Sequence, residues 1–133
     1  MSHFSTVRTS IKDEAALRQG LQGLGYALVP GGTQVRGCGG RTEAVDFVVK
    51  PGQGYSIGFR RQADGTYAIV ADWWGVRVDQ QAFRNQIGEI DRAIRQRYAY
   101  EKVKKEVEAR GMGIVEEEKL EDQTIRLVVR QWL

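Results

Sequence analysis

The chain has one cysteine, Cys38, and one histidine, His3, in 133 residues. An intramolecular disulfide is therefore impossible, and a cysteine-rich zinc or iron–sulfur site is excluded on ligand supply. A histidine pair on a metal is excluded in the same way, so no metal site and no cofactor is expected. No apolar run approaches the ~20 residues that a membrane-spanning helix needs. The first residues show no basic cap followed by an apolar stretch, so no secretory signal is expected. With 41% apolar and 28% charged residues the composition is that of a folded globular chain. A chain of this length reads as a single domain, 1–133, that buries roughly two thirds of its extended surface without a staple.

Twenty Lys and Arg against 17 Asp and Glu leave a net charge of +3. The mixture favours arginine, 14 to 6, which suits carboxylate, phosphate and aromatic contacts. Charge is unevenly placed. Residues 92–110 carry seven basic side chains against three acidic ones, and residues 116–122 carry five acidic side chains against Lys119. Such runs read as solvated faces or as an electrostatic partner surface.

Periodicity outlines the elements. His3 to Ile11 alternates as a strand, and Asp13 is placed to cap a helix over about 13–25 with Leu17, Leu21 and Leu24 on one face. Short strands follow over Tyr26–Val29, Thr33–Gly40 and Glu43–Lys50, with Val45, Phe47 and Val49 sharing one face. Asp64-Gly65 suggests a two-residue hairpin turn between Tyr55 and Trp74. That register pairs Phe59 with Val70 and puts Arg60, Tyr67, Ile69 and Trp73 on one face. A helix over about 79–110 follows. Its first stripe is Phe83, Ile87, Ile90, Ile94 and Tyr98, and its second is Tyr100, Val103 and Val107, rotated by well over 100°. The helix thus bends or meets different partners along its length. Met112–Glu118 and Thr124–Trp132 form a terminal hairpin with Ile125, Leu127 and Val129 inward. The fold class is α+β, a mainly antiparallel sheet of about five to seven strands with two main helices.

Groups for chemistry are few. Cys38 lies between Arg36 and Arg41 in a Gly-rich stretch, where guanidiniums favour the thiolate and amide groups favour an anion. Asp72 is expected among apolar side chains, where burial suits acid/base work. Either could serve a small enzyme, but no base or second carboxylate pairs with them, and no catalytic residue is assigned. The Arg60, Tyr67 and Trp73 face combines arginine with aromatics, as protein hot spots do. Arg92, Arg95, Arg97, Lys102, Lys104 and Lys105, with Tyr98 and Tyr100 interleaved, offer an alternative nucleic-acid surface.

The opening Met1 to Thr9, the strand Gly54-Tyr55-Ser56-Ile57-Gly58-Phe59, the Ala71-Asp72-Trp73-Trp74-Gly75 turn and Gln96-Arg97-Tyr98-Ala99-Tyr100 occur in that order. Together with the Arg126–Trp132 end they resemble a family of small uncharacterised proteins of cyanobacteria and red-algal plastids, a hypothetical chloroplast reading frame family. The resemblance runs over nearly the whole chain. It implies a cytoplasmic or plastid-stromal protein and brings no catalytic residue or cofactor with it. The expectation is an interaction, assembly or regulatory module that recognises a protein, with nucleic-acid binding as the alternative and a small enzyme using Cys38 or Asp72 as the second. Oligomeric state stays open.

Overall fold

The computed structural model describes residues 3–52, 54–76, 78–121 and 124–131. It divides into two units, 1–91 and 92–133, with the boundary inside the long second helix.

In the first unit β1 (Ser5–Arg8) leads to α1 (Glu14–Gly23). Asp13 caps that helix, its Oδ1 accepting from the Ala16 amide at 3.0 Å. Leu17 and Leu21 are fully buried, while Leu24, at 44% exposure, has already left the helical stripe. Then come β2 (Ala27–Leu28), β3 (Gln34–Arg36), a 3-10 turn over Cys38–Gly40, β4 (Thr42–Ala44), β5 (Phe47–Lys50), β6 (Ile57–Arg61) and β7 (Tyr67–Ala71). The sheet runs β1-β7-β6-β5-β2 with every pairing antiparallel, and β3 and β4 pair separately. This is the α+β class expected from the hairpin-rich order, with helices Glu14–Gly23 and α2 (Gln80–Ala109).

Two local expectations are corrected. The 43–50 stretch is two strands in two sheets, broken at Val45 and Asp46. The Val45 amide donates to Thr33 and the Asp46 amide to Phe59, so the chain changes sheets there. Val45 consequently packs with Val35, Val48 and Val70, away from Phe47. The second correction is the hairpin register: Phe59 pairs with Ile69, not Val70, and Arg60 with Ala68. Asp64 Oδ1 accepts from both the amide and the hydroxyl of Thr66, and Gly65 takes φ +86°. The loop therefore holds three residues, Ala63 to Gly65, between the paired Gln62 and Thr66, and a one-residue slip moves every β7 side chain to the other face.

That slip puts Tyr67 and Ile69 beneath the helices. Phe47 stacks on Phe59 at 4.9 Å between centroids, and Phe83 of α2 meets Phe59, Tyr26 and Trp73 at 6.2, 5.4 and 5.7 Å. Ile90 lies so close to Gly20 of α1 that a β-carbon there would sit 2.9 Å from its methyl. On the opposite face Val35 of β3 and Val45, just after β4, press onto Gly58 and Val70. All five β7 residues are buried, as in a strand covered on both faces.

The second unit holds the rest of α2 with β8 (Met112–Lys119) and β9 (Ile125–Gln131), an antiparallel pair with a bulge between Ile114 and Glu116. Ile125, Leu127 and Val129 share one face of β9, but only Ile125 and Leu127 are half-buried and Val129, expected inward, is 42% exposed; Trp132 lies outside the described residues. Helix α2 is one continuous element: its first stripe is buried at Phe83, Ile87 and Ile90, and Val107 of the second stripe is buried in the second unit.

Gly58→Ala tests the double cover directly. Its new methyl would lie 2.7 Å from a Val45 methyl and 3.0 Å from Val35 Cβ. The expected loss is about 1–3 kcal/mol, read from the urea midpoint; an unchanged midpoint would mean the two small strands do not press on the sheet.

Candidate functional site

The two residues offered for enzyme chemistry meet at one corner of the first unit. Strand β7 ends at Ala71, and Asp72 begins a turn closed by the Gly75 amide donating to its carbonyl at 3.3 Å. The Asp72 carboxylate, 2% exposed, accepts from the Cys38 amide at 3.0 Å and from the Trp74 amide at 3.2 Å. Gly37 permits this approach, since a β-carbon there would lie 2.7 Å from the Phe4 ring and 3.1 Å from the carboxylate. Tyr55 completes the corner. Burial, then the neighbouring Cys38 thiol, raises its hydroxyl above the ordinary tyrosine value. Gly75 leaves room for that ring, which a β-carbon at the same place would overlap. Sequence reasoning missed Tyr55 because only the fold carries it to Cys38. Chemically, the corner directs a buried carboxylate at the protein's own backbone, which ties the Gly-rich turn to the end of β7.

The face expected to join Arg60, Tyr67 and Trp73 is not a single surface. Tyr67 is 1% exposed and donates its hydroxyl to Glu14 at 2.9 Å. Arg60 is half-buried on the opposite face, 3.1 Å from Glu43. Trp73 is half-buried against Phe83, and its neighbour Trp74 is the exposed one at 74%. The register slip and the turn at Asp72 together account for the difference.

Exposure concentrates elsewhere. Among the described residues of the second unit, Val107 is the only buried apolar side chain, whereas Tyr98, Val103, Val115, Leu120 and Val129 are 40–58% exposed. A groove of about 530 Å³ runs between helix and hairpin, lined by Tyr100, Val103, Ile125 and Leu127 together with Arg92 and Arg95. Tyr100 donates to Glu117 across it at 2.8 Å, and that carboxylate raises the tyrosine hydroxyl above its usual value. Of the six basic residues named above, Arg95, Lys102 and Lys105 follow with Tyr98 the three-four-three spacing of one helix side, while Arg97 and Lys104 share another. They are all exposed, but they do not form one basic stripe. Tyr98, Val103 and Val129 were not singled out as surface residues because their periodicity reads as core; only the shortage of covering elements exposes them.

Among the described residues no three His, Cys, Asp or Glu side chains gather as metal ligands, and no helix is long and apolar enough to cross a membrane. The fold and these surfaces define a small α+β protein with a well-covered sheet unit and a sparsely covered helix–hairpin unit. The chain belongs to the family described as a protein of unknown function, DUF1257, whose model matches residues 20–128. Its relatives include the uncharacterized protein ycf35 of Cyanophora paradoxa, 31% identical over 99% of this chain and 98% of the relative. The ycf35 proteins of Guillardia theta and Pyropia yezoensis are 29% and 26% identical with the same coverage. These are hypothetical chloroplast reading frame proteins of algal plastids. No solved structure matches the chain.

Two outcomes follow from the buried polar groups. Asp72→Ala strands two backbone donors and should cost about 2–4 kcal/mol, whereas Cys38→Ala, which keeps the amide, should cost under about 1 kcal/mol; denaturant midpoints decide, and equal losses would contradict the assignment. The Tyr67 hydroxyl is pushed up to about 12, first by burial and then by Glu14. Its folded value lies above the unfolded one near 10, so its stabilisation is complete below pH ~10 and disappears as pH climbs toward 12. The wild type should therefore lose more stability than Tyr67→Phe between those limits; parallel curves would refute this.

Proposed function

We propose that this protein is an interaction module that recognises another polypeptide through the surface of its second unit, in the stroma of plastid-bearing cells or the cytoplasm. The observation that carries this reading is the imbalance of burial: among the described residues of the second unit one apolar side chain, Val107, is buried against five that are exposed. Scattered apolar exposure is ordinary, but here it gathers on one helix and one hairpin. A two-stranded hairpin by itself is barely stable in water, so a partner that covers it adds to its stability as well as binding it. Tyr98, with arginine and lysine around it, has the residue types that dominate binding energy at protein interfaces.

The nucleic-acid alternative draws support from the exposed Arg97, Lys102, Lys104 and Lys105. It is weakened by Glu116, Glu117 and Glu118 in the same unit, which repel a polyanion. Affinity capture with the tagged full-length protein from extracts of its own cells tests the proposal. Val103→Glu combined with Val129→Glu should abolish capture of the specific partner while the first unit keeps its melting transition. Arg60→Ala, which removes a side chain already held by Glu43, should leave capture intact. Capture that survives the paired valine change would refute the reading.

A further inference from the structure

We infer that the second unit recognises a second copy of itself, forming a two-fold dimer in which the acidic hairpin of one chain meets the basic helix of the other. This rests on the interaction reading above and names its partner. The argument is charge complementarity inside one unit. Helix residues 92–109 hold six basic side chains against three acidic ones, whereas 116–121 hold four acidic against one basic. The two signs therefore sit on different parts of the same unit, the basic residues on α2 and the described acidic ones on β8 and at Glu121 just after it. A two-fold contact makes each pairing twice, so a surface carrying both signs in separate blocks is complementary to its own copy.

Individual groups sharpen the argument. Lys102 and Lys105 lie on one side of the helix with Tyr98, are exposed, and have no ion-pair partner among the described residues. Glu116 and Glu121 are likewise exposed without a described ion-pair partner. Glu118 is held by Arg126 at 3.3 Å and Glu117 by Tyr100 at 2.8 Å, which leaves Glu116 and Glu121 as the exposed acids of this stretch available to a second chain. Apolar groups flank both charge blocks: Tyr98 and Val103 beside the lysines, Val115 and Leu120 beside the glutamates. Desolvated apolar contact supplies affinity, and the charges set register and steer encounter. A nucleic acid satisfies only the basic block and is opposed by the acidic one. An unrelated protein would have to match both signs at once.

Sedimentation equilibrium of the full-length protein is the test. The wild type should be a dimer whose Kd rises at least about tenfold between 0.05 and 0.5 M salt, because exposed pairs are screened over that range. Lys102→Glu with Lys105→Glu should be monomeric, and so should Glu116→Lys with Glu121→Lys, since each brings like charges together in its own two-fold contact. Mixed in equal amounts, the two reversed proteins should form a heterodimer, in which both helix–hairpin contacts pair opposite signs, one of them with its signs exchanged. That rescue cannot arise from a variant that merely unfolds. A monomeric wild type at every concentration overturns the inference, as does a mixture that stays monomeric. A monomer whose basic residues retard single-stranded nucleic acid would replace it with the nucleic-acid reading. A monomer that still captures a different protein, sensitive to Val103 and Val129, would remove the self-contact and leave the interaction module standing.

Discussion

Burial of β7 on both faces is the constraint around which the first unit is arranged. A strand whose five side chains all exclude water needs cover above and below the sheet. Leu17, Leu21 and Phe83 supply it from the helices, and Val35 of β3 and Val45 just after β4 supply it from the other side. Close cover on one side demands Gly58, since any side chain there would meet Val45. The same packing brings the Cys38 turn against the end of β7, where the Asp72 carboxylate satisfies two amides that would otherwise be stranded. Apolar burial thus decides where the polar corner forms.

The last forty or so residues obey a different balance. Helix α2 leaves its Phe83–Ile90 stripe in the first unit, and beyond it a single hairpin provides all the cover within the second. Two strands on one helix bury Val107 and half-cover Ile125 and Leu127, but leave Tyr98, Val103 and Val129 in water. Such an arrangement is costly for an isolated chain and useful for one that associates. The separated blocks of opposite charge would give the proposed association a direction and a register.

Much of this was legible in the chain itself. Helical spacing located both helices to within two residues, because Asp13, Gly25 and Gly111 punctuate strong apolar stripes. The terminal hairpin followed from simple alternation, which also put Ile125, Leu127 and Val129 on one face of β9, although Val129 is exposed there. The central hairpin was legible in outline but not in register. Asp64-Gly65 fits both a two-residue turn and the end of a three-residue loop, and the Asp64–Thr66 hydrogen bonds that select the second are details of side-chain geometry. With apolar residues on both faces, alternation could not arbitrate. That ambiguity displaced Tyr67 from the core to the surface in the sequence reading. Contacts such as Asp72 with Cys38, 34 residues apart, carry no local signal. Family membership is borne by whole-chain likeness and does not speak to chemistry.

The central claim is that the first unit is stable by its own packing while the second is completed by association. Amide hydrogen exchange at two protein concentrations examines it most directly. β7 amides should be slow and indifferent to concentration, opening only with global unfolding. Those of β8 and β9 should exchange quickly in dilute solution and slow markedly as concentration rises. A hairpin protected to the same degree at every dilution would contradict the account.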